Sequence, residues 1–169
     1  DMFRTRISGG DSAGTTAVLL QQTSIAPVGF CKSLKIDVTT AYSSLSTNAY
    51  NVIRGEIEGY DIARTGFGAA GAKTLTLSFY VRSNLTGTFT GAIGNRSNNR
   101  SFAFDYTISS ANTWERKSIT IDGDTTGTWD KDANLGLKII WMLGSGSLYT
   151  TSTANTWQAA EHMGTTNGQ

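Results

Sequence analysis

Glutamate pairs are the side chains best suited to cleaving a sugar bond, a reaction that usually needs two carboxyl groups facing each other across a cleft. Glu56 and Glu58 stand two residues apart, so on a strand they share one face. Outer faces of strands carry glutamate routinely. The remaining glutamates, Glu115 and Glu161, stand far from this pair in the sequence. We therefore predict that no residue of the chain is catalytic.

A serine or cysteine nucleophile would need a general base, which is usually histidine. His162 is the only histidine, and it directly follows Glu161. Neighbouring residues on a strand point to opposite sides, so these two do not form a working pair. We expect His162 to be a surface or partly packed residue. The domain is therefore expected to have a binding or structural role rather than a catalytic one.

Two acidic turns contain the candidate metal ligands, because calcium in proteins prefers carboxylate and carbonyl oxygens. The turn that begins at Asp130 starts with the ligand spacing of the helix–loop–helix calcium loop. Leu135, however, stands where that loop needs glycine, and Trp141 stands where it needs glutamate. We therefore predict no metal site and no cofactor, and we keep a structural calcium as the alternative. Its candidate ligands are Asp122, Asp124, Asp130 and Asp132.

Aromatic residues in loops are the candidates for ligand binding, because sugars stack their C–H faces on exposed rings. Trp129 lies between turns and Trp157 follows a run of small polar residues, so both are predicted ligand platforms. Tyr149, Tyr60 and the Asn-rich tip 95–100 would add hydrogen bonds. The alternative for each tryptophan is that it pins its loop onto the core.

Alternation of apolar and polar residues dominates the chain and predicts the elements that carry these side chains. Leu75, Leu77, Phe79 and Val81 would face one way and the polar residues between them the other. One buried and one wet face is typical of antiparallel sheets. We predict an all-β antiparallel two-sheet β-sandwich (jelly roll) with little helix. The nine predicted strands are 2–8, 15–22, 34–38, 49–58, 74–82, 88–93, 102–108, 114–121 and 135–143.

Helix signals are weak and turn signals are strong. Short helical turns are predicted at 58–67 and 157–163, and the polar stretch 41–48 is predicted to be a loop. The 25 Thr, 17 Ser and 19 Gly suit short strands joined by turns. The segment 66–71 has the Gly-x-Gly-x-x-Gly spacing of dinucleotide sites, but a predicted strand follows it where that motif needs a helix.

Length and charge exclude several classes of protein. The chain has 169 residues, which fits a single domain, 1–169. Hydrophobic residues make up 38% and charged residues 16%, which argues against disorder. The net charge is +1 with no basic cluster, so we expect no nucleic-acid partner. The chain has no apolar run of membrane-spanning length, so we expect no membrane insertion. It starts at Asp1 without an initiator methionine, and we expect a fragment of a longer chain.

Several segments in a fixed order resemble a known family. They are Glu56-Ile-Glu-Gly-Tyr60, Gly66-Phe-Gly68, Ala72-Lys-Thr-Leu-Thr-Leu-Ser-Phe-Tyr-Val-Arg-Ser83, Tyr106-Thr-Ile-Ser-Ser-Ala-Asn-Thr-Trp-Glu115, Thr120-Ile-Asp-Gly-Asp-Thr-Thr-Gly-Thr-Trp129, Leu135-Gly-Leu-Lys-Ile-Ile-Trp-Met-Leu143 and Ala154-Asn-Thr-Trp157. The chain resembles, from Glu56 to its end, the carbohydrate-binding-module-like jelly rolls of bacteriophage tail-fibre and virion appendage proteins.

The resemblance implies a virion protein, made in the host cytoplasm and displayed outward on the particle. Its implied partners are other virion proteins, further copies of itself in a homo-oligomer such as a trimer, and a glycan of the host cell surface. Two alternatives stay open at this point. One is a purely structural capsid decoration or fibre protein, and the other is a polysaccharide-degrading enzyme or its accessory binding domain.

Overall fold

The structure is a computed structural model that describes residues 3–8, 17–40 and 44–168, with side chains from 21–39 and 44–168. It is all-β with antiparallel sheets, as predicted. All nine predicted strands are present; the predicted starts of the first two, at residues 2 and 15, lie outside the described residues. These strands are β1 Phe3–Ser8, β2 Ala17–Thr23, β3 Ser33–Thr40, β4 Tyr50–Glu58, β5 Leu75–Val81, β6 Gly87–Gly94, β7 Ser101–Ile108, β8 Glu115–Ile121 and β9 Leu135–Ser145.

The described residues also contain three strands of two residues each, which the sequence did not predict. These are β10 Thr150–Thr151, β11 Trp157–Gln158 and β12 Gly164–Thr165. Helix in the described ranges is limited to α1 Gly59–Ile62 and two 3₁₀ turns, Ala63–Thr65 and Ser147–Tyr149. The helical prediction at 58–67 is thus confirmed. No described helix is long and apolar enough to span a membrane.

The helical prediction at 157–163 is wrong. Trp157 instead pairs with Phe102 of β7 as the start of β11, and its indole ring packs on Phe102 and Phe67. A single turn of helix is marginal by itself. The ring burial and the strand pairing available at this position therefore decide the local structure.

The main sheet has six strands in the order β1-β4-β9-β6-β7-β11. The 11-residue β9 lies between β4 and β6 and pairs antiparallel with both. Gly91 of β6 lets these strands approach closely, because a Cβ there would lie 2.3 Å from the backbone oxygen of Ile140 and 2.8 Å from the ring of Phe104.

One face of the main sheet packs against the two-stranded sheet of β5 and β8, which completes the sandwich. Phe79 of β5 reaches across the interior to contact Tyr106 and Trp141 edge-on, at ring distances of 5.2 and 5.6 Å. The buried core between the sheets consists of Ile62, Phe67, Ile93, Phe102, Phe104, Tyr106, Ile108, Ile121, Trp129 and Leu137.

Strands β2 and β3 form a separate two-stranded sheet, the hairpin arm (residues 17–40). Its end meets the sandwich through an edge-on contact of Phe30 with Tyr80 on β5. Several of its apolar side chains are exposed, among them Ile25, Val28, Phe30, Leu34 and Val38. Of the predicted loop 41–48, residues 44–48 form no helix or strand, and 41–43 lie outside the described residues.

Candidate functional site

The outer face of the main sheet, turned away from the sandwich core, carries charged side chains. Because side chains alternate along a strand, Arg54 and Glu56 of β4 point away from the core face that Ile57 occupies. Glu56 lies opposite Lys138 of β9, and Arg54 lies opposite Ile140. Lys138 is therefore the diagonal cross-strand neighbour of Arg54, and both lie in the middle of a six-stranded sheet.

The last described segment, residues 161–168, covers part of this outer face. Met163 packs with Val52, Ile140 and Met142 in a second apolar cluster. The backbone N–H of Thr165 donates a 2.7 Å hydrogen bond to Thr90 Oγ1. These contacts hold the segment against the sheet and leave a pocket beside it.

The pocket, called here the polar pocket, has a volume of about 240 Å³. It collects side chains from β4, β9, the 95–100 tip, the 3₁₀ turn at 147–149 and the last segment. Ligand pockets for drug-sized molecules span ~300–1,000 Å³, so this one suits a single small unit of a longer molecule. Its lining consists of Tyr50, Val52, Arg54, Asn98, Lys138, Ile140, Tyr149, Glu161 and Met163.

Lys138 is only 2% exposed, so its ammonium group depends on partners inside the protein. It donates a hydrogen bond to the Asn98 side-chain oxygen, and its Nζ lies 3.6 Å from Glu161 Oε1. Arg54 forms a 2.8 Å ion pair with Glu56. Each cation of the polar pocket thus has a carboxylate partner.

Tyr149 is the one sequence-predicted ligand residue that lies in the polar pocket. Its ring meets that of Tyr50 edge-on at 5.0 Å. Burial raises the pKa of the Tyr149 hydroxyl, and the nearby Glu161 and Tyr50 raise it further. The hydroxyl therefore stays protonated at neutral pH and can both donate and accept a hydrogen bond.

Trp129 is a core residue and not an exposed platform, with only 5% of its surface accessible. Its ring packs edge-on against Phe67 at 4.9 Å and Trp157 at 5.3 Å. Its indole N–H donates a 3.1 Å hydrogen bond to Asp124. The alternative weighed for this tryptophan, that it pins its loop onto the core, matches these contacts.

Trp157 is half-buried and is held on several sides. Its indole N–H donates a 2.6 Å hydrogen bond to the backbone oxygen of Asp122, and the Arg100 guanidinium lies 5.9 Å from its ring centre. Tyr60, on α1, is 65% exposed. Neither residue lines the polar pocket, so the structure does not bring the four predicted ligand residues together.

Asp124, a candidate calcium ligand, is fully occupied by protein donors. It accepts a two-pronged ion pair from Arg100, at 2.8 and 2.6 Å, and bonds from Thr126 and Trp129. Burial by itself would raise the pKa of Asp124, but these donors outweigh it and hold the pKa below its usual range. This carboxylate is a structural anchor for the surrounding loops.

The other candidate calcium ligands are bound by groups of the protein or lie apart from one another. Asp130 lies 3.6 Å from Arg96, and Asp132 accepts a 2.9 Å bond from the backbone N–H of Asn134, which is the main cause of its lowered pKa. Asp122 is exposed. Within ranges 3–8, 17–40 and 44–168, no three His, Cys, Asp or Glu side chains are grouped as metal ligands would be.

Sequence reasoning missed Tyr50, Arg54 and Lys138 as site residues. A signal for Lys138 was available, because β9 is apolar on both of its faces and a strand of that kind is buried on both sides. A lysine inside such a strand must be paired. The sequence does not say that its partners would be Asn98 and Glu161.

Comparison with known proteins found one distant structural similarity. No protein-family model and no curated protein matches the chain. Among solved structures, the enzymatically active domain of bacteriophage CBA120 tailspike protein 4 aligns with 83% of this chain, at 13% identity and a TM-score of 0.48. The aligned part is 18% of that longer chain. A likeness at this level assigns neither an activity nor a ligand to this chain.

The comparison corrects one prediction from the sequence and leaves another unmatched. We predicted that the chain is not an enzyme, and the tailspike domain it resembles is an enzymatically active one, so that prediction is withdrawn. The neighbour is a phage tail protein, the kind of protein that the sequence resemblance implied. The expected carbohydrate-binding-module family is not matched by any family model.

Proposed function

We propose that this chain is a virion appendage domain, from a tail fibre or spike, that binds a glycan of the host surface in the polar pocket. The observation that carries the proposal is the convergence of a buried cation, a carboxylate, an amide and a tyrosine hydroxyl on one small surface pocket. Sites for small polar ligands combine apolar walls with a few convergent polar groups. The sequence resemblance supplies the phage context of the proposal.

The roles of the pocket residues follow from their chemistry. Tyr149 offers a ring face and a hydroxyl, and Asn98 offers an amide. Glu161 accepts hydrogen bonds, and Lys138 donates them. A single site of this size binds weakly, so display of several copies on a fibre would raise the effective affinity.

A glycan array probed with the purified chain tests the proposal. We expect binding that Tyr149→Ala reduces at least tenfold, because it removes both the ring and the hydroxyl. Tyr60→Ala is the matched control, since Tyr60 is exposed and lies outside the pocket, and its binding should equal that of the unchanged chain. Absence of binding to any glycan, or equal loss in both variants, would contradict the proposal.

Hydrolysis of the bound glycan is a second candidate function. It is favoured by the presence of two carboxylates, Glu56 and Glu161, whose cationic partners Arg54 and Lys138 both line the pocket. Sugar hydrolysis usually employs two carboxyl groups. Shortened products from an array-positive oligosaccharide, lost in both Glu56→Gln and Glu161→Gln, would establish it. Unchanged oligosaccharide after prolonged incubation would limit the site to binding.

A further inference from the structure

Three side chains that could react with one another meet in the polar pocket. Lys138 Nζ donates a hydrogen bond to the side-chain oxygen of Asn98, and it lies 3.6 Å from Glu161 Oε1. The three residues come from β9, the 95–100 tip and the last described segment. An amine, a carboxamide and a carboxylate are the groups needed to form an amide bond between two side chains, with the carboxylate moving the protons.

We propose that the Lys138 amine attacks the side chain of Asn98 and forms an isopeptide cross-link, with Glu161 as the proton carrier. Lysine amines act as nucleophiles towards carbonyl carbons. Lys138 is only 2% exposed, and burial in a protein disfavours the charged form of an amine. The carbon that is attacked, Asn98 Cγ, is bonded directly to the oxygen that Lys138 already contacts. The hydrogen-bonded pair is therefore the reactant geometry.

The reaction balances without an oxidant, a metal or a second substrate. Glu161 takes one proton from the Lys138 ammonium group, and the neutral amine forms the Nζ–Cγ bond. The Cγ–Nδ2 bond of Asn98 then breaks as Nδ2 receives a second proton that Nζ gives up, and ammonia leaves. The ammonia takes the proton held by Glu161, which returns to its carboxylate form. The products are a secondary amide and an ammonium ion.

The fold holds the amine against the amide. Gly94 is the cross-strand partner of Lys138, and Lys138 Cε lies 3.5 Å from the place that a Cβ on Gly94 would occupy. The lysine side chain therefore runs over Gly94 towards the 95–100 tip. The buried Asn95 side chain fixes that tip, because it accepts bonds from the backbone N–H groups of Asn99 and Arg100 at 3.2 and 3.1 Å. Reactants held in place in this way need little further ordering to react.

The position of Glu161 is fixed from both sides along the backbone. Ser101 Oγ donates a 2.7 Å hydrogen bond to the backbone oxygen of Ala160 and accepts a 3.0 Å bond from the backbone N–H of His162. These two bonds hold the residue between them beside β7. Asn98 is exposed, so ammonia released from its side chain can leave to solvent.

The cross-link goes beyond the proposed glycan binding and is compatible with it. The linked Nζ keeps one N–H donor and the new amide keeps its carbonyl acceptor, so the polar pocket retains both kinds of group beside Glu161 and Tyr149. A covalent tie between the tip and a central strand of the main sheet restricts the unfolded chain, as a disulfide does. Such a tie suits a protein displayed on the outside of a particle.

Mass spectrometry of the purified, unchanged chain tests the proposal. The intact mass should lie about 17 Da below that of the sequence, because one ammonia is lost when the bond forms. Trypsin cuts after lysine and arginine, and an acylated lysine is not cut. The digest should therefore contain residues 97–100 attached to residues 132–169, uncut at Lys138. Fragmentation of this product distinguishes the cross-link from loss of ammonia at another asparagine.

Two variants and a matched control complete the test. Asn98→Ala removes the group that is attacked, and Glu161→Gln removes the proton carrier but keeps its shape, so both should have the sequence mass. Asn112→Ala is the control, because Asn112 shares the left-handed backbone of Asn98, with φ of 58° against 60°, but lies outside the pocket. It should keep the mass loss. The sequence mass in the unchanged chain, or an undiminished loss in Asn98→Ala or Glu161→Gln, would overturn the proposal.

Discussion

At the scale of single residues, Asp124 is the polar centre of the loop end of the sandwich. It holds the tip at 95–100 through Arg100 and its own loop through Thr126 and Trp129. Both ionic side chains are largely buried, with 2% and 12% of the carboxylate and guanidinium side chains exposed. Removal of one member of such a pair leaves an uncompensated charge inside the protein.

Asp124→Asn is expected to lower the free energy of unfolding by ~3–5 kcal/mol, the usual cost of breaking a buried ion pair from one side. Denaturant unfolding measures this change. Asp130→Asn is the control, because the Arg96–Asp130 contact is longer, at 3.6 Å, and more exposed. That variant should lose less than ~1 kcal/mol. Equal losses in both variants would contradict the assigned role of Asp124.

The same carboxylate predicts a dependence of stability on pH. The pKa of Asp124 is lower in the folded state than in the unfolded chain. The folded state therefore binds fewer protons than the unfolded state at acid pH. The stabilisation is complete above the ordinary aspartate pKa of ~3.9 and is lost as the pH falls through the folded-state value. We expect Asp124→Asn to lose less stability between pH 7 and pH 3 than the unchanged chain. An identical acid loss in both would be inconsistent with this linkage.

The position of Trp129 in the structure shows which features of a single residue the sequence can predict. Its type and loop position were compatible with a ligand platform and with a pinned loop. The outcome depends on Phe67, which is far away in the sequence, and on a hydrogen bond to Asp124. Neither contact leaves a periodic trace in the sequence, so only the fold distinguishes the two.

At the scale of elements, the period-2 pattern predicted strands β4 to β9 because each of them turns one face to a common core. Strands β10, β11 and β12 have two residues each, which is too short for any alternation to show. The helix predicted at 157–163 does not form, because a short and weak helical pattern does not outweigh the strand pairing and ring burial available at Trp157. The sandwich could therefore be predicted, and its short closing strands could not.

Phe79→Ala tests the alternation on β5. Phe79 packs on Tyr106 and Trp141 inside the sandwich, so its truncation should lower the free energy of unfolding by ~3–5 kcal/mol. Thr76→Ala, on the exposed face of the same strand, should change it by less than ~0.5 kcal/mol. Thermal or denaturant unfolding gives both values. A small effect of Phe79→Ala would place the core elsewhere.

At the scale of the whole molecule, the two faces of the main sheet have different roles. One face builds the core with β5 and β8, and the other carries the polar pocket beside the last described segment. The pocket brings together segments near residues 50–54, 98, 138–140, 149 and 161–163. Their separation along the chain explains why the sequence predicted Tyr149 and the 95–100 tip but not the site that joins them.

The hairpin arm leads us to expect homo-oligomers. A two-stranded sheet is marginally stable alone, and exposed apolar clusters commonly mark contact surfaces. Light scattering coupled to size exclusion should show a mass above that of one chain, reduced by the double substitution Val28→Ser and Phe30→Ser. Lys32→Ser on the same arm is the control and should leave the mass unchanged. A single-chain mass at all concentrations would contradict this expectation.

The most direct test of the account is the position of a bound glycan, mapped by amide chemical shifts in NMR spectra of the labelled chain. With an array-positive oligosaccharide, the largest shifts should fall at the residues around the polar pocket, which are Tyr50–Arg54, Lys138–Ile140, Tyr149 and Glu161–Met163. Shifts centred on Tyr60 or Trp157, with the pocket amides unmoved, would show that the sugar binds elsewhere and that the outer face of the main sheet is not the site.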